Sequence, residues 1–184
     1  MNARTPAPGG LALIQELVNT LDVESGADSL DTAAGRNALG LAPGDVAAAR
    51  ELRESLRAAC LAHAGHPPHG PVRDLTELLA AGPLVVRVDD GTGAASLGPA
   101  DASTTLTARV AAAIAEGITE GTWQRLKACE ATDCLWAYYD RSPAGRGRWC
   151  DMSVCGARAK MRAYRARKGA GGAATGGAAT GGGG

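Results

Sequence analysis

The sequence predicts a mostly helical α+β domain with a small β-hairpin. A small four-cysteine metal module with a basic C-terminal helix follows it. Three observations predict this. Apolar residues recur at helical spacing along most of the chain between Leu11 and Ile118, interrupted by one β-branched run, Leu84–Val88. Four cysteines crowd into the last third as Cys129-x4-Cys134 and Cys150-x4-Cys155, with fifteen residues between the pairs. The charge divides sharply: residues 1–124 hold eight Lys/Arg against fifteen Asp/Glu, a net of −7, and residues 125–168 hold eleven against four, a net of +7.

Residues 1–10 are polar and proline-broken and are expected to be disordered. Leu11, Ile14, Leu17, Val18 and Leu21 then share a helix face. A polar loop reaches Asp31, where a weak helix runs to Leu39 and closes at Gly40. Pro43-Gly44-Asp45 opens a stronger helix. Val46, Ala49, Leu52, Leu56, Ala59 and Cys60 line its inner face, and Arg50, Arg53, Glu54 and Arg57 are placed on the other faces. The run Gly65-His-Pro-Pro-His-Gly-Pro71 stops it. A short helix carries Val72, Leu75, Leu78 and Leu79. Leu84–Val88 is a strand, Asp89–Gly93 a turn, and Ala94–Leu97 its return. A further helix is expected from Asp101 to Ile118, with helix or turn from Glu120 to Lys127. The Gly/Ala/Thr tail 169–184 cannot bury a core and is expected to be disordered. The domain division is therefore 1–10, 11–124, 125–168 and 169–184.

Two close thiol pairs across a short loop suit one tetrahedral ion, and zinc suits a closed thiolate set best. We assign Cys129, Cys134, Cys150 and Cys155 as ligands of one Zn2+ per chain. Four thiolates leave no open position for water, so this zinc is structural and no catalytic residue is assigned. Disulfides are the alternative. The first ten residues lack the apolar run of a secretory signal, and the expectation is a reduced, cytoplasmic chain. Cys60 sits in a helical pattern as a small buried hydrophobe. No apolar run approaches a membrane span.

Past Cys155 the chain becomes a basic helix. Arg158, Arg162 and Arg165 share one face; Lys160, Tyr164 and Arg167 share another, and Lys168 ends the run. Ala157, Met161 and Tyr164 form a narrow apolar seam suited to packing on the knuckle. Gly156 is expected to supply a positive-φ turn after the last ligand. Between the cysteine pairs, Arg141, Arg146 and Arg148 lie in a proline- and glycine-rich loop suited to phosphate contact. Trp136 and Trp149 are expected in the module's core, with Tyr138 or Tyr139 facing outward. The set Arg141, Arg146, Arg148, Arg158, Lys160, Arg162, Arg165, Arg167 and Lys168 is the predicted nucleic-acid surface. Pro67 and Pro68 break the helix among His63, His66 and His69, which therefore do not share one face and read as solvated rather than as a second metal site.

These residues resemble the bacterial stress-induced transcription regulators that carry an ABATE domain and a C-terminal CGNR zinc finger. The matching positions are Cys129, Cys134, Trp149-Cys150 and Cys155-Gly156-Ala157-Arg158, with the basic run Lys160, Arg162, Tyr164, Arg165, Arg167 behind them. Leu17-Val18-Asn19-Thr20 is similar to the family's F-V-N-T segment. Ala157 stands where the family has Asn, and Leu17 where an aromatic is usual. The resemblance implies a zinc-dependent regulator bound to double-stranded DNA, with an N-terminal domain that senses a small-molecule effector or assembles a homodimer. Asn19 and Thr20 either line a ligand pocket or cap their helix. An Asn at position 157 either caps the basic helix or reads a base, and capping is the expectation. Two alternatives remain: an RNA- or protein-binding zinc module, with Tyr138 and Trp149 stacking on unpaired bases, and an enzyme with a structural zinc ribbon.

Overall fold

The structure, a computed structural model, describes residues 5–100 and 105–173, with side chains to residue 168. It is mixed α+β: helices dominate, and two small antiparallel hairpins interrupt them. The chain falls into two compact units, one ending at Cys150 and one starting at Asp151.

In the first unit α1 spans Leu11–Val18, and its Leu11, Ile14, Leu17 and Val18 are fully buried, as the periodicity predicts. The segment before it is anchored: Ala7 is buried and its N–H donates to Gln15 Oε1 at 2.6 Å. Of the ten residues expected to be disordered, residues 1–4 lie outside the described residues. A 3-10 turn, Ser29–Asp31, leads into α2, Ala33–Ala38, which Thr32 caps by accepting from Gly35 N–H. The Pro43–Asp45 turn opens α3, Val46–His63. Asp74 caps the short α4, Leu75–Leu79, and Thr105 caps α5, Leu106–Thr119. The expected start of that last helix, 101–104, lies outside the described residues.

Helices α1 and α5 approach closely. A Cβ on Gly10 would stand 2.8 Å from Ala113 Cβ, so only glycine fits there. The core joins α1, α3 and α5 to Leu30, Leu39 and Leu41.

Strands β1, Leu84–Val88, and β2, Ala95–Pro99, pair in the register Leu84↔Pro99 to Val88↔Ala95. The second hairpin joins β3, Leu126–Ala128, to β4, Ala137–Tyr139. It belongs to the core of the first unit: Leu126, Ala128 and Ala137 are fully buried and Leu135 nearly so.

Arg53 and Arg57, which the periodicity places outside the apolar face of α3, are nevertheless buried. Their guanidinium groups answer polar atoms around the end of α1. Arg57 Nη2 donates to Val18 O at 3.0 Å, and Arg53 Nη1 donates to Thr20 Oγ1 at 3.0 Å and to Asp28 Oδ2 at 2.8 Å. A helix C-terminus leaves carbonyls without intrahelical partners, and here a neighbouring helix supplies the donors. Burial works against ionised Asp28, but bonds from Arg53, from Leu30 N–H and from Arg50 outweigh it and hold its carboxyl below the usual range.

The second unit begins with a π-helical turn, Met152–Gly156, that runs into α6, Ala157–Ala173. Asp151 caps it, accepting from Ser153 N–H at 2.7 Å and Val154 N–H at 3.2 Å. Ala157 therefore lies inside a continuous helical segment, at φ −66° and ψ −45°. The capping expected of that position is performed six residues earlier. Gly156 is buried and is not among the positive-φ residues, so the expected glycine turn is absent. Met161 and Tyr164 are exposed, and the narrow seam does not pack as expected.

Candidate metal centre and basic helix

The first cysteine pair sits at the tip of the β3–β4 hairpin. Cys129 N–H donates to Trp136 O at 2.9 Å, continuing the ladder. Both Cys134 N–H and Leu135 N–H donate to Ala131 O, which folds the tip into a tight knuckle. Leu135 takes a left-handed φ of +54°, costly for a branched side chain, while its side chain is buried. The second pair is brought in by Arg148: Glu130 N–H donates to Arg148 O at 3.0 Å, and Glu130 accepts two bonds from the Arg148 guanidinium. Cys150 follows directly, and the turn capped by Asp151 carries Cys155.

All four sulfurs lie within 4.8 Å of one another, and none forms a disulfide. Cys134 and Cys150 stand 3.5 Å apart. A tetrahedral zinc with Zn–S bonds of about 2.3 Å requires sulfurs roughly 3.8 Å apart, so the cluster is of the right size. The electrostatics agree. Contacts with Cys129 and Cys134, together with burial, push the Cys150 thiol far up, and contact with Cys134 raises Cys129. Four thiolates this close need a cation among them, and a bound Zn2+ deprotonates such thiols outright. Cys60 is different: complete burial pushes its thiol up to about 12, and it stays an inert core residue.

The loop after β4 is built around a buried ion pair that the sequence does not announce. Lys127 Nζ lies 2.9 Å from Asp140 Oδ2, both side chains are almost wholly buried, and Lys127 also donates to Gly145 O. Burial opposes the Asp140 charge. The bonds from Ser142, Lys127 and Gly147 prevail and hold the carboxyl far below the usual range. Thirteen residues and a hairpin separate the two partners, and no local pattern pairs them.

Arg141 donates to Pro6 O at 2.7 Å and stacks over Tyr139, its carbon 5.1 Å from the ring centroid. Arg148 spends its fork on Glu130 and stacks over Trp149. Arg146 is exposed. On α6, Arg158, Lys160, Arg162, Arg165, Arg167 and Lys168 are all exposed. Tyr138 is buried rather than outward, with its hydroxyl unpartnered; Tyr139 is half-buried. Trp136 and Trp149 are only half-buried, and the hairpin's core is aliphatic instead. His63 is not solvated either. Its Nδ1 faces Leu126 O at 2.8 Å and its ring meets Trp123 edge-on, and burial lowers its pKa.

Asn19 turns its amide to β4. Its Nδ2 donates to Ala137 O at 2.9 Å, and Ala137 N–H donates to its Oδ1 at 2.7 Å. Because Cys129 bonds Trp136, the next cross-strand pair, Ala128 and Ala137, points its amides away from the partner strand. Asn19 thus satisfies the free edge of the strand between the cysteine pairs. Thr20 donates to Leu17 O and accepts from Arg53, so it does cap its helix.

Residues 11–121 match the family model described as a putative stress-induced transcription regulator, ABATE. Residues 125–168 match the CGNR zinc finger. The chain belongs to the ABATE family. Its finger holds all four clustered cysteines, and this ABATE chain accordingly carries a zinc site of the CGNR type. No curated protein matches it. No helix among the described residues is long and apolar enough to cross a membrane.

Proposed function

We propose that the chain is a zinc-dependent transcription regulator that binds double-stranded DNA through α6, with the N-terminal domain serving assembly or sensing rather than catalysis. One observation carries this reading: a four-thiol metal cluster runs through a capped turn into a helix whose six basic side chains are all exposed. Zinc would hold Cys150 and Cys155 and so fix where the helix begins. Arg158, Arg162 and Arg165 on one face, and Lys160, Arg167 and Lys168 beside them, then meet phosphates, which supply most of the affinity of such a surface. Arg141 and Arg148 already have protein partners, and we assign them to shaping the loop; Arg146 remains a phosphate contact. Ala157 is exposed at the start of the basic helix and is not needed as a cap, which supports assigning that position to base-edge contact.

The test is competition for the zinc-loaded chain between a DNA duplex and single-stranded DNA or RNA of the same sequence. Preference for duplex, abolished by chelation, is the expected result. Preference for single strands would transfer the reading to an RNA-binding finger. Binding to neither would leave a protein-binding finger.

A further inference from the structure

The β1–β2 hairpin is poorly covered. Val86 is 67% exposed, Val88 59% and Leu97 50%. A lone two-stranded hairpin is marginal in water and needs a third strand or a helix against its apolar face. The cross-strand partners Val86 and Leu97 point to one face, together with Leu84, Pro99, Val88 and Ala95. That face looks onto α5 across an open groove of about 920 Å³. Val86 and Leu97 wall it on the hairpin side, Leu13 on the α1 side and Ala112 on the α5 side; Arg109 and Glu116 stand in the same groove.

The charges decide what fills it. Arg109 and Glu116 are seven residues apart on α5, close to two turns, and share a face with Ala112 between them. Arg109 uses Nη1 on Leu39 O, and Glu116 uses Oε2 on Gly10 N–H. Each keeps further hydrogen-bonding capacity for a partner. A second α5 laid antiparallel across Ala112 sets its Glu116 against Arg109 and its Arg109 against Glu116. One twofold axis makes both pairs, which is the signature of an isologous contact. A parallel helix would set like charges together. An apolar ligand would strip water from both charges and pair neither.

We propose that this groove is the homodimer interface, with the α5 helices antiparallel across Ala112 and each hairpin's Val86–Leu97 face closing over the partner copy. The proposal rests on the reading of the N-terminal domain as the assembling part. Its test uses no DNA, so its failure leaves the DNA-binding reading standing, and a failure of DNA binding leaves the dimer standing.

The experiment is sedimentation velocity on the full zinc-loaded chain at micromolar concentration, with circular dichroism to confirm folding. The expected mass is that of two chains. Arg109→Glu or Glu116→Arg alone should weaken association by about tenfold or more, within the range measured for close charge pairs at interfaces. The double variant Arg109→Glu/Glu116→Arg should restore it, because the twofold axis again pairs opposite charges. Loss of a local bond to Leu39 or Gly10 could not be repaired by that exchange. Should a charge variant fail to fold, Val86→Lys, at an already exposed position, should weaken association while leaving the circular dichroism spectrum intact. A monomer at all concentrations overturns the proposal. So does a dimer indifferent to the single charge changes and to Val86→Lys, or a double variant no better than the singles.

Discussion

Asn19 closes both hydrogen bonds that the outer edge of β4 offers at Ala137, and it sits on a different element 118 residues away. Replacing it with Ala leaves the partly buried Ala137 N–H without a partner and its C=O with only the long bond from Gln15 Nε2 at 3.4 Å, a loss of about 1–3 kcal/mol. We therefore expect Asn19→Ala to lower unfolding stability by that amount in denaturant titration and to weaken zinc retention against a chelator. A stability loss with unchanged zinc retention would mean that the amide steadies α1 alone. Other single residues show why sequence reading misplaces some side chains. Arg53 and Arg57 carry the composition of a solvated face, but they are buried because the end of α1 needs donors. That need exists only after α1 and α3 are packed together, so nothing local in the sequence announces it. Asp151 was legible in principle: an Asp two residues before Ser153 is a capping pattern, and it makes the cap that Ala157 does not.

At the scale of elements, the helices and the β1–β2 hairpin were legible because their signals are local: apolar spacing, capping residues and glycine or proline stops. The four cysteines were legible because their spacing is itself the geometric requirement. The hidden element was β3–β4. Three-residue strands leave almost no periodicity, and the aromatic residues around them suggested a self-contained finger core. Instead Leu126, Ala128 and Ala137 are buried with the N-terminal helices, and His63 of α3 bonds the carbonyl of Leu126. The first cysteine pair is thus an extension of the N-terminal core. Removing zinc should then reach beyond the finger. We expect chelation, or Cys134→Ala, to lower the melting temperature of the bulk helical signal by several degrees, since structural zinc binding is folding free energy. A helical melt identical with and without metal would show that the core holds the hairpin unaided.

Over the whole molecule, the charge division gives the working arrangement. The acidic residues concentrate before residue 124, where several are spent internally on Arg50, Arg53 and Arg57. The excess of positive charge lies after residue 124, and six of its basic side chains are exposed on α6 directly behind the last cysteine. Its attraction to a polyanion is local, and the neutral total of the chain does not diminish it at short range. The most direct test is the salt dependence of duplex binding by the zinc-loaded chain, followed by fluorescence anisotropy. With about four to six phosphates contacted, the logarithm of affinity should fall with the logarithm of salt at a slope near −0.9 per contact. Arg162→Ala/Arg165→Ala should flatten that slope by about two contacts' worth and weaken all sequences alike. A slope near zero, or a slope untouched by the double substitution, would contradict the assignment of α6 as the DNA-binding surface.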